Sequence, residues 1–200
     1  MSPRPDVSDE RKSQILNAAE GVFTKKGFDE ARMDDIAEET GLSKGTLYLY
    51  FKSKEELIIA ILDRIFGNIF KQLEARKNEE LHATEAIWRF TDEAVHDYKR
   101  MLHMMPIAYE FLALAFRNSI VQRSLKSYFK LYMDSLIPII ERGIASGEFR
   151  QVDAQEVAIA AGAIFEGTIL LWVYDKNLVD VDRHIHSSIK LLLEGVQARA

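Results

Sequence analysis

Residues 33–52 read MDDIAEETGLSKGTLYLYFK, and the spacing inside this stretch decides how the first part of the chain folds. Ala37 and Gly41 stand four apart, with Ile36, Leu42, Leu47 and Tyr50 at the remaining inward positions of two short helices. Helices that cross steeply need a small side chain where they touch, and Ala37 supplies it. They also need a tight turn at positive φ, which Gly41 makes without a Cβ clash. Leu42 and Leu47 then hold the second helix to the first. Ser43 is a good N-cap for that second helix. Its outward face offers Lys44, Thr46, Tyr48 and Leu49, and Gly45 permits close backbone approach. Unpaired N–H groups at its start favour a phosphate or a base edge. This is the helix-turn-helix pattern, although on spacing alone an ordinary helical hairpin fits equally well.

Outward from that stretch, apolar residues recur at spacings of three and four almost everywhere and no strand-like alternation persists. The expectation is an all-α chain of about nine helices. A first helix over about 9–26 puts Ile15, Ala19, Val22 and Phe23 on one face and stops at Gly27. Ser53-Lys54-Glu55-Glu56 reads as a capping box, in which the Ser hydroxyl and the Glu carboxylate each satisfy a backbone N–H. Behind it Leu57, Ile58, Ile61, Leu62, Ile65, Ile69 and Leu73 form one stripe. The pattern resumes at Ile87, Phe90, Ala94, Tyr98, Met101 and Met105, and Pro106 closes that helix and opens the next. A long helix over about 120–146 contains Pro138, expected to kink it, and Gly147 suits its C-terminal cap. The last two helices, near 154–175 and 182–198, are the most apolar.

Composition bounds the function. The chain has 200 residues, 48% hydrophobic and 28% charged, with no cysteine, so disulfide scaffolds and thiolate zinc sites are excluded and a cytoplasmic location is expected. The longest uncharged stretches, 157–165 and 167–174, are separated by Glu166 and are each short of the roughly 20 residues a membrane span needs, so no membrane partner is expected. A signal peptide is not expected either, because the first residues carry charges where it needs an apolar core. A net charge of −5 argues against a nucleic-acid partner in general. Residues 1–54, however, hold nine basic side chains against ten acidic ones, so the case rests on where particular bases fall.

Those positions are specific. The run GLSKGTLYLYFKSKEEL at 41–57 closely resembles the signature of TetR/AcrR-type transcriptional regulators, and Phe23-Thr24-Lys25-Lys26-Gly27-Phe28 and Asp35-Ile36-Ala37 match that family too. The resemblance implies a three-helix DNA-binding domain over 1–54 and a helical effector-binding and dimerisation domain over 55–200. It further implies a homodimer built from the last two helices, a palindromic double-stranded operator and a small-molecule effector, with repression the commoner outcome. Carried over by position, it makes Lys44, Gly45, Thr46, Tyr48 and Tyr50 recognition-helix contacts, with Ser43, Leu49 and Lys52 beside them and Lys54 on a phosphate. Where the family often caps the second helix with Thr, this chain has Arg32. The cap must come from elsewhere, and Arg32 either reaches a phosphate or stands in solvent.

The remaining residues carry competing readings. On the helix over 154–174, Val157, Ala161, Ile164, Thr168 and Trp172 fall on one side and Ile159, Gly162, Leu170 and Val173 on the other. A helix apolar all round is buried on both faces. In the last helix Ile185, Ile189, Leu192 and Val196 repeat at coiled-coil spacing. These four, with Val157, Ala161, Ile164, Thr168 and Trp172 of the helix before, are the expected dimer interface, the alternative being that both helices are core of a monomer. Met101, Met105, Tyr109 and Phe116, within a cluster that includes Met104, suit an adaptable apolar effector pocket. Glu166, read as a buried carboxylate, faces either that ligand or a partner across the dimer. A helical-bundle di-iron enzyme without DNA binding is the alternative function, since Glu79-x-x-His82 and Glu93-x-x-His96 have the ligand pattern. On one helix those motifs would lie about 21 Å apart, whereas paired metals sit about 3.5 to 4 Å apart. His184 and His186 read as surface residues. With no nucleophile–base constellation and no phosphate-cradling Gly-rich loop, no enzyme activity, metal or cofactor is expected.

Overall fold

The computed structural model describes residues 7–76, 81–102 and 105–198. Among them the chain is all-α: α1 (Val7–Glu30), α2 (Met33–Thr40), α3 (Lys44–Tyr50), α4 (Lys54–Arg76), α5 (Ala83–Met101), α6 (Met105–Ala115), α7 (Ser119–Ala145), α8 (Ala154–Tyr174) and α9 (Val181–Val196). α1 breaks at Gly27, whose φ of 74° and ψ of 166° lie outside the helical region. Met105 opens α6 rather than closing α5, so Tyr98, Met101 and Met105 do not share one helix face. α7 runs on through Pro138.

The described residues fall into two compact units. The first takes α1 to α3, α4 as far as Ile65, and Pro106–Leu125, so it includes more than residues 1–54. The second takes Phe66–Met105 and the chain from Lys126 onward. The chain passes between them inside α4, α6 and α7.

In the first unit Ile15, Ala19, Val22 and Phe23 of α1, Ile36 and Ala37 of α2, Leu47 of α3 and Leu57, Ile58 and Ile61 of α4 are all buried. The rings of Phe23, Phe28 and Phe111 meet at 5.6 to 6.3 Å, with Phe111 edge-on to the other two.

In the second unit α9 packs on both α8 and α5. Val157, Ala158, Ala161, Phe165, Thr168 and Ile169 of α8 turn inward, as do Val181, Ile185, Ile189, Leu193 and Val196 of α9. α8 is long and apolar enough to cross a membrane by length and composition, contrary to the sequence reading, yet here that inward face is core. The Tyr132 hydroxyl donates to the Ala158 carbonyl at 2.7 Å, across Gly162, where a Cβ would meet the Tyr132 ring at 3.2 Å. After α7 the Glu148 carboxylate accepts the N–H groups of Ala83 (2.8 Å) and Thr84 (2.6 Å), capping α5. Burial pushes the Glu148 carboxyl up, but the bonds from Thr84 and Ala83 and the nearby His82 outweigh it and hold it below the usual carboxylate range. His186 is not a bare surface residue. It stacks on Trp88 of α5 and lies 2.8 Å from both Asp92 and Asp182. Burial lowers its pKa, and those carboxylates outweigh burial and hold it raised.

Candidate nucleic-acid interface

α2 and α3 are joined as the spacing requires. Gly41 sits in the left-handed region at φ 66°, its N–H donates to Glu38 O (3.0 Å) and the Leu42 N–H donates to Ala37 O (3.1 Å), which closes α2. Gln14 of α1 donates to Thr40 O at 3.1 Å and so fastens that end from outside. Ser43 caps α3 by accepting the Thr46 N–H at 3.1 Å, and the Ser43 and Thr46 hydroxyls lie 2.8 Å apart. Ser43 therefore acts first on the helix itself.

α3 is two-faced. Leu47 is fully buried, whereas Tyr48 is 41% and Leu49 75% exposed. Gly45 is exposed, and a Cβ there would meet nothing nearer than the Ser43 hydroxyl at 3.9 Å. Thr46 and Tyr50 are half-buried. Lys44 pairs with Asp34 at 2.6 Å, both side chains well exposed, so exchanging that partner for a phosphate costs little. Lys52 donates from its side chain to the Tyr48 carbonyl at the end of α3.

The start of α2 answers the missing Thr. Arg32 stands exposed, and its backbone N–H donates to Asp35 Oδ2 at 2.9 Å, so the acidic residue three positions on closes the turn. Lys26 lies 2.9 Å from the other Asp35 oxygen. The hydrogen bond from Lys26, then that from Arg32, holds the Asp35 carboxyl below its usual range. The box at α4 is shifted from the expected one. Ser53 accepts the Glu56 N–H at 3.3 Å, but the Glu56 carboxylate takes the N–H of Lys52. Lys54 is half-buried and donates to the carbonyls of Phe28 (2.6 Å) and Asp29 (3.3 Å). Sequence reasoning missed Gln14, Asp34 and Asp35 as supports of this surface. For Asp35 the acidic residue at the third helical position was an available signal.

The expected effector residues are divided between the two units, Met101, Met105 and Glu166 in the second and Tyr109 and Phe116 in the first. Phe116 follows α6 and is 93% exposed. Glu166 is also exposed, so it is not the buried carboxylate inferred from the aliphatic run around it. Burial, with Glu166 as the second cause, pushes the Tyr98 hydroxyl up to about 12. Met105 is buried, Tyr109 half-buried, and Met101 ends α5. The Met101 side chain, Met104 and Glu79 lie outside the described residues. Among the described residues no group of three His, Asp or Glu is placed to hold a metal.

The expected dimer face is corrected too. Val157, Ala161, Thr168, Ile185, Ile189 and Val196 are buried within the chain itself, and Ile164, Trp172 and Leu192 are half-buried. α9 already covers that side of α8. The large apolar side chains left outward on α8 and α9 are Ile159 (38%), Leu171 (55%), Tyr174 (72%) and Leu191 (69%).

Two family models match this chain: bacterial regulatory proteins of the tetR family over residues 15–61, and the C-terminal region of QacR-like proteins over residues 69–198. The HTH-type transcriptional regulator YfiR of Bacillus subtilis (strain 168) is 31% identical over 155 residues, 76% of this chain and 75% of its own. The fatty acid metabolism regulator protein of the same organism is 27% identical over 189 residues, 92% of this chain and 94% of its own. The crystal structure of the transcriptional regulator FadR from Bacillus subtilis in complex with stearoyl-CoA is similar at a TM-score of 0.76 and 25% identity, covering 92% of this chain and 99% of that one. These matches run through the helix-turn-helix and the helices behind it alike, so the chain belongs to the tetR family of bacterial regulatory proteins: it is a DNA-binding transcriptional regulator, not an enzyme.

Proposed function

We propose that this chain is a cytoplasmic, ligand-released repressor that binds a palindromic duplex operator as a homodimer. The observation that carries this reading is the two-faced α3: Leu47 is locked inward while Tyr48 and Leu49 stand out beside Lys44 and an open Gly45. On this reading residues 1–54 do the reading of DNA. Gly45, Thr46, Tyr48, Leu49 and Tyr50 approach the base edges, and Ser43, Lys44, Lys52 and Arg32 the backbone. Residues 55–200 bind the effector and the second subunit. The outward side of α8 and α9, with Ile159, Leu171 and Leu191, is the surface offered to that subunit. The effector is largely apolar, and Met105, buried in the second unit, is a residue it meets. Because FadR was solved with stearoyl-CoA, a long-chain acyl-CoA is the first probe to use.

The experiment is selection of duplexes from a random pool by the full chain. An inverted repeat is expected, its half-sites placed for two recognition helices about 34 to 36 Å apart. Stearoyl-CoA should then weaken binding to that duplex about 5- to 150-fold. Enrichment of a single asymmetric half-site would overturn the dimeric reading, and no enrichment at all would overturn α3 as the reader.

A further inference from the structure

The break in α1 is gripped from two sides. Gly27 turns the backbone at φ 74°, and the next residue, Phe28, is buried. The Phe28 N–H donates to Glu110 Oε2 of α6 at 2.9 Å. Its carbonyl accepts from Lys54 Nζ at the start of α4 at 2.6 Å, and the same ammonium lies 4.4 Å from the centre of the Phe28 ring. Both polar groups of one residue are thus held by opposite charges from two other helices. The rings of Phe23 and Phe111 close on the Phe28 ring from the apolar side.

Every segment held by this arrangement bears on α3. Four residues after Phe28 the chain reaches Arg32 and α2, which carries α3 on its far end, and Lys54 begins the helix that follows α3. The position of the Phe28 residue therefore fixes both ends of the helix-turn-helix. We infer that Glu110 and Lys54 form one clamp on Phe28 that sets the presentation of the recognition helix, and that Lys54 acts through this clamp rather than on an operator phosphate. Glu110 is a positioning residue: it touches no DNA, and its hydrogen bond decides where α2 begins. Gly27 belongs to the same device, because a side chain there would be strained at positive φ and would lie 3.7 Å from a Glu110 oxygen.

The inference rests on the reading of α3 as the DNA-reading helix, and the test separates the two. The full chain and the duplex it enriches are used, with affinity measured from about 50 to 200 mM salt. Glu110→Ala and Lys54→Ala should each weaken binding about three- to tenfold, the worth of one hydrogen bond, with the salt slope unchanged. Glu110→Gln, which keeps an oxygen for the Phe28 N–H, should recover most of that loss. The double variant should bind no worse than the weaker single variant, because both act through one residue. If Lys54→Ala lowers the salt slope by about one, Lys54 contacts a phosphate and the clamp is wrong. If Glu110→Ala binds as wild type does, it is equally wrong. Should Glu110→Ala not fold, Gly27→Ala reports on the same hinge, and wild-type affinity in that variant overturns the inference. Failure of the wild-type chain to enrich any duplex would instead remove the DNA-reading role of α3, and the clamp with it.

Discussion

The α2–α3 pair and the α8–α9 pair are both two helices in contact, but one shows its orientation in its sequence and the other hides it. In α2 and α3 apolar and polar residues separate cleanly, and Ile36, Ala37 and Leu47 are buried while Lys44, Gly45 and Leu49 are exposed. In α8 apolar residues run all round, so the wheel offers two faces and does not say which one the chain keeps for itself. α9 takes the face with Val157, Ala161 and Thr168, and leaves Ile159 and Leu171 outward. Amphipathicity carries direction, and a uniformly apolar helix discloses only that it is covered.

The sharpest way to break this contrast is Ile185→Ala. If the stripe Ile185, Ile189 and Val196 is core of a single chain, the variant should lose about 2 to 5 kcal/mol of protomer stability in chemical denaturation. A loss confined to dimer affinity would return that stripe to the subunit interface. A smaller effect is expected at Glu148, which caps α5 inside the same unit. Its carboxyl is held below its ordinary value of 4.5, so its contribution is present above that pH and is lost as pH falls through the lower folded value. Glu148→Gln should therefore be about 1 kcal/mol less stable than wild type at pH 7, and the two should converge in acid. Parallel acid limbs would mean that Glu148 does not hold α5. The smallest effect on the protomer belongs to Leu191→Glu, within about 0.5 kcal/mol because the site is 69% exposed. Sedimentation should nevertheless show a weakened dimer. Wild-type association would place the interface away from the outward face of α9.

The same contrast explains what could be read in advance. The helix-turn-helix was legible because glycine at positive φ, a small residue at the crossing and a serine cap are each dictated by local backbone chemistry. The orientation of α8 was only partly legible. Its one mid-helix charge, Glu166, marks the exposed stripe, and it was read as buried because its neighbours in sequence are aliphatic. Lys190 and Glu194 mark the outward side of α9 in the same way, flanking Leu191. The partner of Arg32 had a signal in the sequence, but the partners of Lys44 and Lys54 were not legible from the residues alone. Arg32 draws on Asp35 in the first turn of its own helix, but Lys44 reaches back to Asp34, and Lys54 reaches Phe28 and Asp29, twenty-six and twenty-five positions away. Phe116, just after α6, and Glu110 within it show the limit: only the fold gives one to solvent and the other to Phe28.

That the chain leaves the first unit inside α4 and returns within α6 bears on how such regulators are recombined. A chimaera cut after residue 54, intended to fit this chain's DNA specificity to another sensor, would leave behind Phe111 and Glu110, which complete the aromatic cluster and hold Phe28. The transferable module is therefore discontinuous. An exchange that carries Pro106–Leu125 together with the N-terminal segment moves a whole core, whereas the single cut moves a reading head stripped of one wall.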